Sequence, residues 1–336
     1  MASALALALA LALAGLALAA CSSAPATSQI PSVAGFTCGQ SGIKVATASQ
    51  LRTALLKARS GQTLLLAPGT YDGNFSAATS GTSSAPITLC GPRNAVLDGG
   101  DIKSGYAFHL DHASWWRVEG FSVQGGQKGV VADTSDHDLI FDLYVHGTGD
   151  EAIHLRAFSS YDTVSHNVIR DTGLYTGFFG EGIYVGSANA NWCRYTACKP
   201  DESNFDDIVG NNIADTTAEN IDIKEGTTFG TINGNQLDGA GMNPADATSW
   251  VNVKGNFWTI SDNTGIDSDK DGFSDHEVYP GWGMDNAFES NSAAVNGPGY
   301  GFYVQHPQLL DVVFCSNKVT GARSGFANLA CKPGGP

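Results

Sequence analysis

Three short stretches of this chain set ionisable residues in one register: Glu151-Ala152-Ile153-His154-Leu155-Arg156, Glu181-Gly182-Ile183-Tyr184-Val185-Gly186 and Glu219-Asn220-Ile221-Asp222-Ile223-Lys224. Looser copies follow at Ser249-Trp250-Val251-Asn252-Val253-Lys254 and Tyr300-Gly301-Phe302-Tyr303-Val304-Gln305. In each copy two apolar residues sit two apart, the period of a strand, and their return at intervals of tens of residues marks a repeat architecture. Stacked as rungs, the copies give three columns. Glu151, Glu181 and Glu219 form one, His154, Tyr184, Asp222 and Asn252 a second, and Arg156, Gly186, Lys224 and Lys254 a third. Neighbouring strands lie about 4.8 Å apart. At that distance two carboxylates repel by about 1 kcal/mol in water and about 3.5 kcal/mol at an effective dielectric near 20. A row of three needs a metal ion, cationic partners or a shared proton, unless the side chains turn apart and stay solvated.

A second acidic motif is Asp267-Ser268-Asp269-Lys270-Asp271-Gly272-Phe273-Ser274-Asp275. Alternate carboxylates and a turn glycine resemble a Ca²⁺ loop, with Asp267, Asp269, Asp271 and Asp275 as ligands pinning the segment. The twelfth position is Val278, with Glu277 one residue early.

The 336-residue chain carries a formal charge of −15. Nucleic-acid binding needs clustered Lys and Arg, so that partner is excluded. Ala4 to Ala20 is an Ala/Leu run ending in Leu18-Ala19-Ala20-Cys21, which reads as an export signal with a lipobox over residues 1–21. The expectation is an extracytoplasmic monomer, attached to a membrane only through a lipidated Cys21, with a polar leader over 22–42. Six further cysteines suit an oxidising compartment and allow 15 connectivities. Proximity favours Cys193–Cys198 and Cys315–Cys331, leaving Cys38–Cys90.

These features sit on a legible scaffold. Thr47 to Ser60 reads as one amphipathic helix, with Leu51, Ala54, Leu55 and Ala58 inward and Gly61 after its end. Strand-like segments follow at Gln62 to Tyr71 (with Pro68-Gly69-Thr70-Tyr71), Pro86 to Gly91 and Ala95 to Gly100. Here the chain resembles the secreted right-handed parallel β-helix superfamily, which includes pectate lyases and related glycan-active enzymes. The resemblance implies an all-β, single-stranded solenoid over 43–336 whose first coil is capped by the helix. An apolar residue followed three later by Asn recurs at Val164/Asn167, Val209/Asn212, Ile232/Asn235, Ile260/Asn263 and Phe314/Asn317, which suits a structural Asn ladder at tight turns. Long insertions between Gly186 and Asn204 and between Asn263 and Asn286 follow repeat strands, placed to wall one face.

The resemblance also implies a chemistry, a polysaccharide lyase assisted by Ca²⁺. β-Elimination removes the proton α to a uronate carboxylate and needs a base and a cation on that carboxylate. Lys224 is the expected base, Arg156 the partner for the uronate charge, and Tyr184 or His154 the acid for the leaving group. Glu151, Glu181, Glu219 and Asp222 are the expected groove ligands for Ca²⁺. A lysine base requires a lowered pKa, which the neighbouring carboxylates oppose unless a cation neutralises them. Trp250, Lys254, Asn252 and Tyr303 are expected to contact the glycan, with aromatic faces available to stack on sugars. The same glutamates, one rung apart, approach the roughly 5 Å of a retaining glycoside hydrolase, and two rungs apart the roughly 6.5–9.5 Å of an inverting one. A non-catalytic carbohydrate-binding surface protein is the third class. Trp115 and Trp116 are adjacent on a strand, so one should face inward and one outward.

Overall fold

The computed structural model describes residues 37–334 except 244 and 246. The export signal, the lipobox and Cys21 lie outside the described residues. No helix among the described residues is long and apolar enough to cross a membrane.

The chain winds into a right-handed parallel β-helix of three sheets, one strand per sheet per coil, every ladder parallel. The front sheet has ten strands, from Phe75–Ala77 to Gly325–Ala327. Its central strands are Lys128–Asp133, Ile153–Arg156, Ile183–Val185, Ile221–Ile223, Val251–Val253 and Phe273–Asp275. Alternation fixes what faces inward. Ile153, Ile183, Ile221, Val251, Phe273 and Phe302 stack in register inside the coil, with no exposed surface. Each such aliphatic side chain contributes about 1.5–3 kcal/mol of burial, so slipping a strand by one residue would be strongly opposed.

The capping helix runs Ala48–Leu56, with Thr47 accepting the Gln50 N–H at 3.2 Å. It stops four residues short of the expected end, although Ala58 is still buried. Disulfides join Cys38–Cys90, Cys193–Cys198 and Cys315–Cys331. Trp116 is fully buried and Trp115 is not.

Three ladders hold the turns. Asn167, Asn211, Asn235, Asn263 and Asn291 each donate from Nδ2 to the Oδ1 of the next, at 2.9–3.0 Å, and Asn317 ends the row. Asn211, not the expected Asn212, is the member on its coil, because Ile208 rather than Val209 points inward. At the opposite turn Asp138, Asp162 and Asp206 play the same part with one difference. Each takes one backbone N–H on Oδ1, and each Oδ2 is buried without a partner. Burial pushes all three carboxyls well above their ordinary range.

Beside them run Trp115, His137, Tyr161, Phe205, Phe229 and Phe257, all at positive φ and stacked ring on ring with centroids 4.1–5.4 Å apart. Left-handed backbone costs about 1–2 kcal/mol per residue, and each stack returns about 0.5–1.5 kcal/mol. The inner rings cover both faces of one another, so none is offered to a sugar.

Candidate functional site

The front sheet brings the three expected columns together. Ala152 N–H bonds to Glu181 O and Gly182 N–H to Glu219 O, both at 3.1 Å, which stacks the glutamates. His154, Tyr184, Asp222 and Asn252 are Cα partners from rung to rung. Gly186 N–H bonds to Leu155 O, Lys224 N–H to Val185 O and Lys254 N–H to Ile223 O, which completes the third column. Two unforeseen upstream strands extend the face. Lys128 enters the glutamate column, and Tyr106–Asp111 pairs with the strand it opens. The signal was present, since Lys128-Gly129-Val130-Val131-Ala132-Asp133 repeats the spacing of Glu181 to Gly186.

Arg156 lies against this extension. Its Nε and Nη2 donate to the two oxygens of Asp133 at 2.6 and 3.0 Å, and Nη2 also reaches the Tyr106 hydroxyl at 3.0 Å. Burial alone would raise Asp133, but hydrogen bonds from His109 and Arg156 hold it well below the usual carboxylate range. Arg156 is therefore committed to Asp133, a correction to its expected role as a free partner for a uronate.

Glu151 is bound by the Lys128 ammonium. Its Oε1 also faces His154 Nδ1 at 3.4 Å. Burial would raise Glu151, yet Lys128 and His154 keep it low. The other nitrogen of His154, Nε2, lies 2.9 Å from Gly186 O and donates to it, while Nδ1 is buried against Glu151. Burial lowers the His154 pKa and the imidazole is neutral at pH 7. Its ring meets the Tyr184 ring edge-on at 4.4 Å. Burial likewise pushes the Tyr184 phenol well above its usual value, so it stays protonated.

Asp222 holds two cations at once. Lys224 Nζ is 2.7 Å from Oδ2, and Lys254 takes Oδ1. Burial works against both charged forms, but the pairing keeps Asp222 ionised and lifts Lys224 well above an ordinary lysine. The pairing favours the ammonium form of Lys224, opposite to the lowered pKa that the expected base role requires. Its Nζ lies 4.8 Å over the Tyr184 ring.

Glu181, Glu219 and Asp222 form the one cluster of metal-type ligands among the described residues, each offering an atom within 4.8 Å of the others. Glu181 Oε2 is buried without a hydrogen-bond partner. Burial, then the charges of Glu151 and Asp222, push its carboxyl well above the usual range. Glu151 is not in the cluster, because Lys128 and His154 hold it.

The loop aspartates do not converge. Asp267 accepts from Asn296, Asp271 accepts the Tyr300 N–H, and Asp269 is exposed. Asp275 points into the coil, where Asn286 donates to it at 2.6 Å. The cause is that Phe273–Asp275 is itself a front-sheet rung, in register with Val251–Val253. Trp250 is a second correction. It is fully buried, packed edge-on to Phe273 at 5.6 Å, and presents no face to a ligand. Asn252 donates to Glu219 at 3.0 Å and contacts His276 Nδ1 through Oδ1 at 2.8 Å. Tyr303 is partly exposed two rungs beyond Asn252.

The first insertion does wall the face. It carries the short helix Trp192–Tyr195, anchored by Trp192 Nε1 to Ser187 O and by contact with Tyr279 from the second insertion. Asp201 closes its far end, accepting from Ala157 N, Phe158 N and Ser187 Oγ. Between this wall and the sheet lies a cavity of about 250 Å³ lined by Lys128, Glu151, His154, Tyr184, Arg194 and Tyr195 among others. Arg194 and Tyr195 carry no strand periodicity, and nothing in the sequence marked them.

No protein-family model and no curated protein matches the chain. Among solved structures it is similar to an alginate lyase from Paenibacillus sp. str. FPU-7. Identity is 32%, with 85% of this chain and 97% of that one covered and a TM-score of 0.77. A rhamnogalacturonan lyase (12% identity, 85% and 87% covered, TM-score 0.62) and a pectate lyase (15%, 81% and 73%, 0.58) share the fold. The extent and identity of the first match, on this fold, place the chain in the parallel β-helix polysaccharide lyase family to which the Paenibacillus enzyme belongs.

Proposed function

We propose that this protein is a polysaccharide lyase that cleaves a uronate-containing glycan by β-elimination on the front sheet. The observation that carries this reading is the neutral His154–Tyr184 pair set beside two ammonium groups that share a single carboxylate. Lys224 and Lys254 share Asp222, so a substrate carboxylate arriving there would meet two ammonium groups. Neutralising that carboxylate acidifies the adjacent C–H. His154 takes the proton; the C–H pair becomes the new C=C bond as the glycosidic C–O bond breaks. Tyr184 gives its phenolic proton to the departing oxygen. Glu151 stabilises the imidazolium that forms.

A Ca²⁺ ion fits the acidic triad in one respect, the unsatisfied buried oxygen of Glu181. Glu181, Glu219 and Asp222 would hold it, and it would supply further charge neutralisation at the substrate carboxylate. Asp222 already binds two ammonium groups, so a cation there competes with them. Calorimetric Ca²⁺ titration of the wild type and Glu181→Gln tests the site, and absence of heat in the wild type refutes it.

One observation favours a hydrolase: adjacent Glu151 and Glu181 are driven to opposite sides of the usual carboxylate range, as paired acids and bases are. Product chemistry separates the readings. Alginate is the first substrate to test, given the 32% identical alginate lyase, followed by other acidic and neutral glycans. Unsaturated, ultraviolet-absorbing ends support the lyase, and new reducing ends without unsaturation establish the hydrolase. The disulfides suit the oxidising compartment that export would reach.

A further inference from the structure

We infer that Arg194, on the wall of the cleft, binds a second carboxylate of the same glycan. This rests on the lyase reading for the position of the first carboxylate.

The cations of the front face and its wall are not equivalent. Lys128 is held by Glu151, Arg156 by Asp133, and Lys224 and Lys254 by Asp222. Arg194 lines the cavity, is exposed, and has no carboxylate partner among the described residues. It is also held in place. Its guanidinium lies 5.0 Å from the Tyr195 ring centroid, and the Arg156 guanidinium lies 4.2 Å from the same centroid. Arg156 is fixed in turn by its two bonds to Asp133. The Cys193–Cys198 disulfide brackets Arg194, and the buried Trp192 anchors the segment to the body. A planar guanidinium presented on a fixed support suits bidentate capture of a carboxylate, and little freedom is lost on binding.

Because Arg194 sits on the wall and not on the reactive columns, it contributes equally to ground and transition states. Its loss should therefore appear in KM and not in kcat.

The test compares wild type, Arg194→Ala and Arg194→Lys on polyuronate, with calorimetric binding of an oligouronate to each. Arg194→Ala should raise KM and weaken binding by about tenfold or more, with kcat within about twofold, and Arg194→Lys should recover part of the loss. Unchanged KM and affinity in Arg194→Ala, with an active wild type, overturn the Arg194 assignment alone. A wild type that binds oligouronate through Arg194 but releases no unsaturated ends overturns the lyase reading and keeps the binding site. A wild type that binds no oligouronate overturns both. Arg194 is exposed, and circular dichroism of the variants confirms that the fold is unchanged.

Discussion

Lys224 Nζ sits 2.7 Å from Asp222 Oδ2, a contact that favours the ammonium form of the lysine. Asp222 is almost fully buried, and Lys254 occupies its other oxygen. Replacing Asp222 with Asn would leave two ammonium groups without a counter-charge. Breaking a buried pair costs about 3–5 kcal/mol. Asp222→Asn should therefore lower unfolding stability in urea by about that amount and abolish turnover. Adding Lys254→Met should recover part of the stability without restoring turnover; a stable, active Asp222→Asn would sink the shared-carboxylate reading.

Tyr184→Phe removes the proposed acid and leaves the ring under Lys224. The expected loss is about 10²–10⁴-fold in kcat with a small change in KM, the usual range for a general acid. Stability should move by no more than about 1 kcal/mol, because the hydroxyl is not bound to any partner that would be orphaned. Initial rates and thermal melts of the one variant check both statements.

The pH profile follows from the directions of two shifts. Burial lowers His154 from 6.5, against the pull of Glu151 and with Lys128 and Arg156 adding to the decrease. The imidazole therefore remains a base until the pH falls below 6.5, which places the acid limb of kcat/KM there. Tyr184 is raised from 10.0, so the alkaline limb lies above that value. An acid limb centred above pH 6.5 would remove His154 from the base role.

The aspartate ladder makes the opposite kind of prediction, about stability. Burial, then Asp138 and Asp206, raise Asp162 well above 3.8. A raised acid stabilises the folded state fully below the unfolded value, and that stability is lost as pH rises through the folded one. Asp162→Asn replaces the acid with the group used in the Asn ladder. It should raise Tm at pH 8 by about 2 °C or more and flatten the decline of stability with pH. A variant less stable than wild type at pH 8 would contradict this.

Trp250 separates packing from binding. Trp250→Ala should cost about 3–5 kcal/mol. Trp250→Phe should lower Tm yet leave KM for the glycan unchanged; a raised KM with unchanged Tm would return Trp250 to the binding face.

The fold was legible because its determinants are local and periodic. The Glu-x-Ile-x-Val/Ile rungs name the inward residues, and the capping helix announces itself by the spacing of Leu51, Ala54 and Leu55. The columns of the site followed from the same period. What sequence could not supply was pairing. Asp133 and Lys128 sit one coil upstream, on a strand whose outward residues include the apolar Val131, and they decide the states of Arg156 and Glu151. The Asp-rich segment misled for a related reason. Its alternation satisfies a calcium loop and a strand equally, and a rung of the sheet prevailed because Phe273 fills the interior between Val251 and Phe302. Asn212 and Asn211 likewise differ by a single residue, a distinction that only the inward side chain makes.

Gly186 has a consequence for how this surface can vary. It occupies the third column between Arg156 and Lys224 at φ +80°, and an added methyl would lie 2.6 Å from Thr227 and 3.3 Å from Lys224. Any larger residue would press on the stem of Lys224 and on Thr227 at once. Evolutionary drift or engineering of the overhanging segment must therefore keep bare the glycine from which it springs, along with the anchors Trp192 and Asp201.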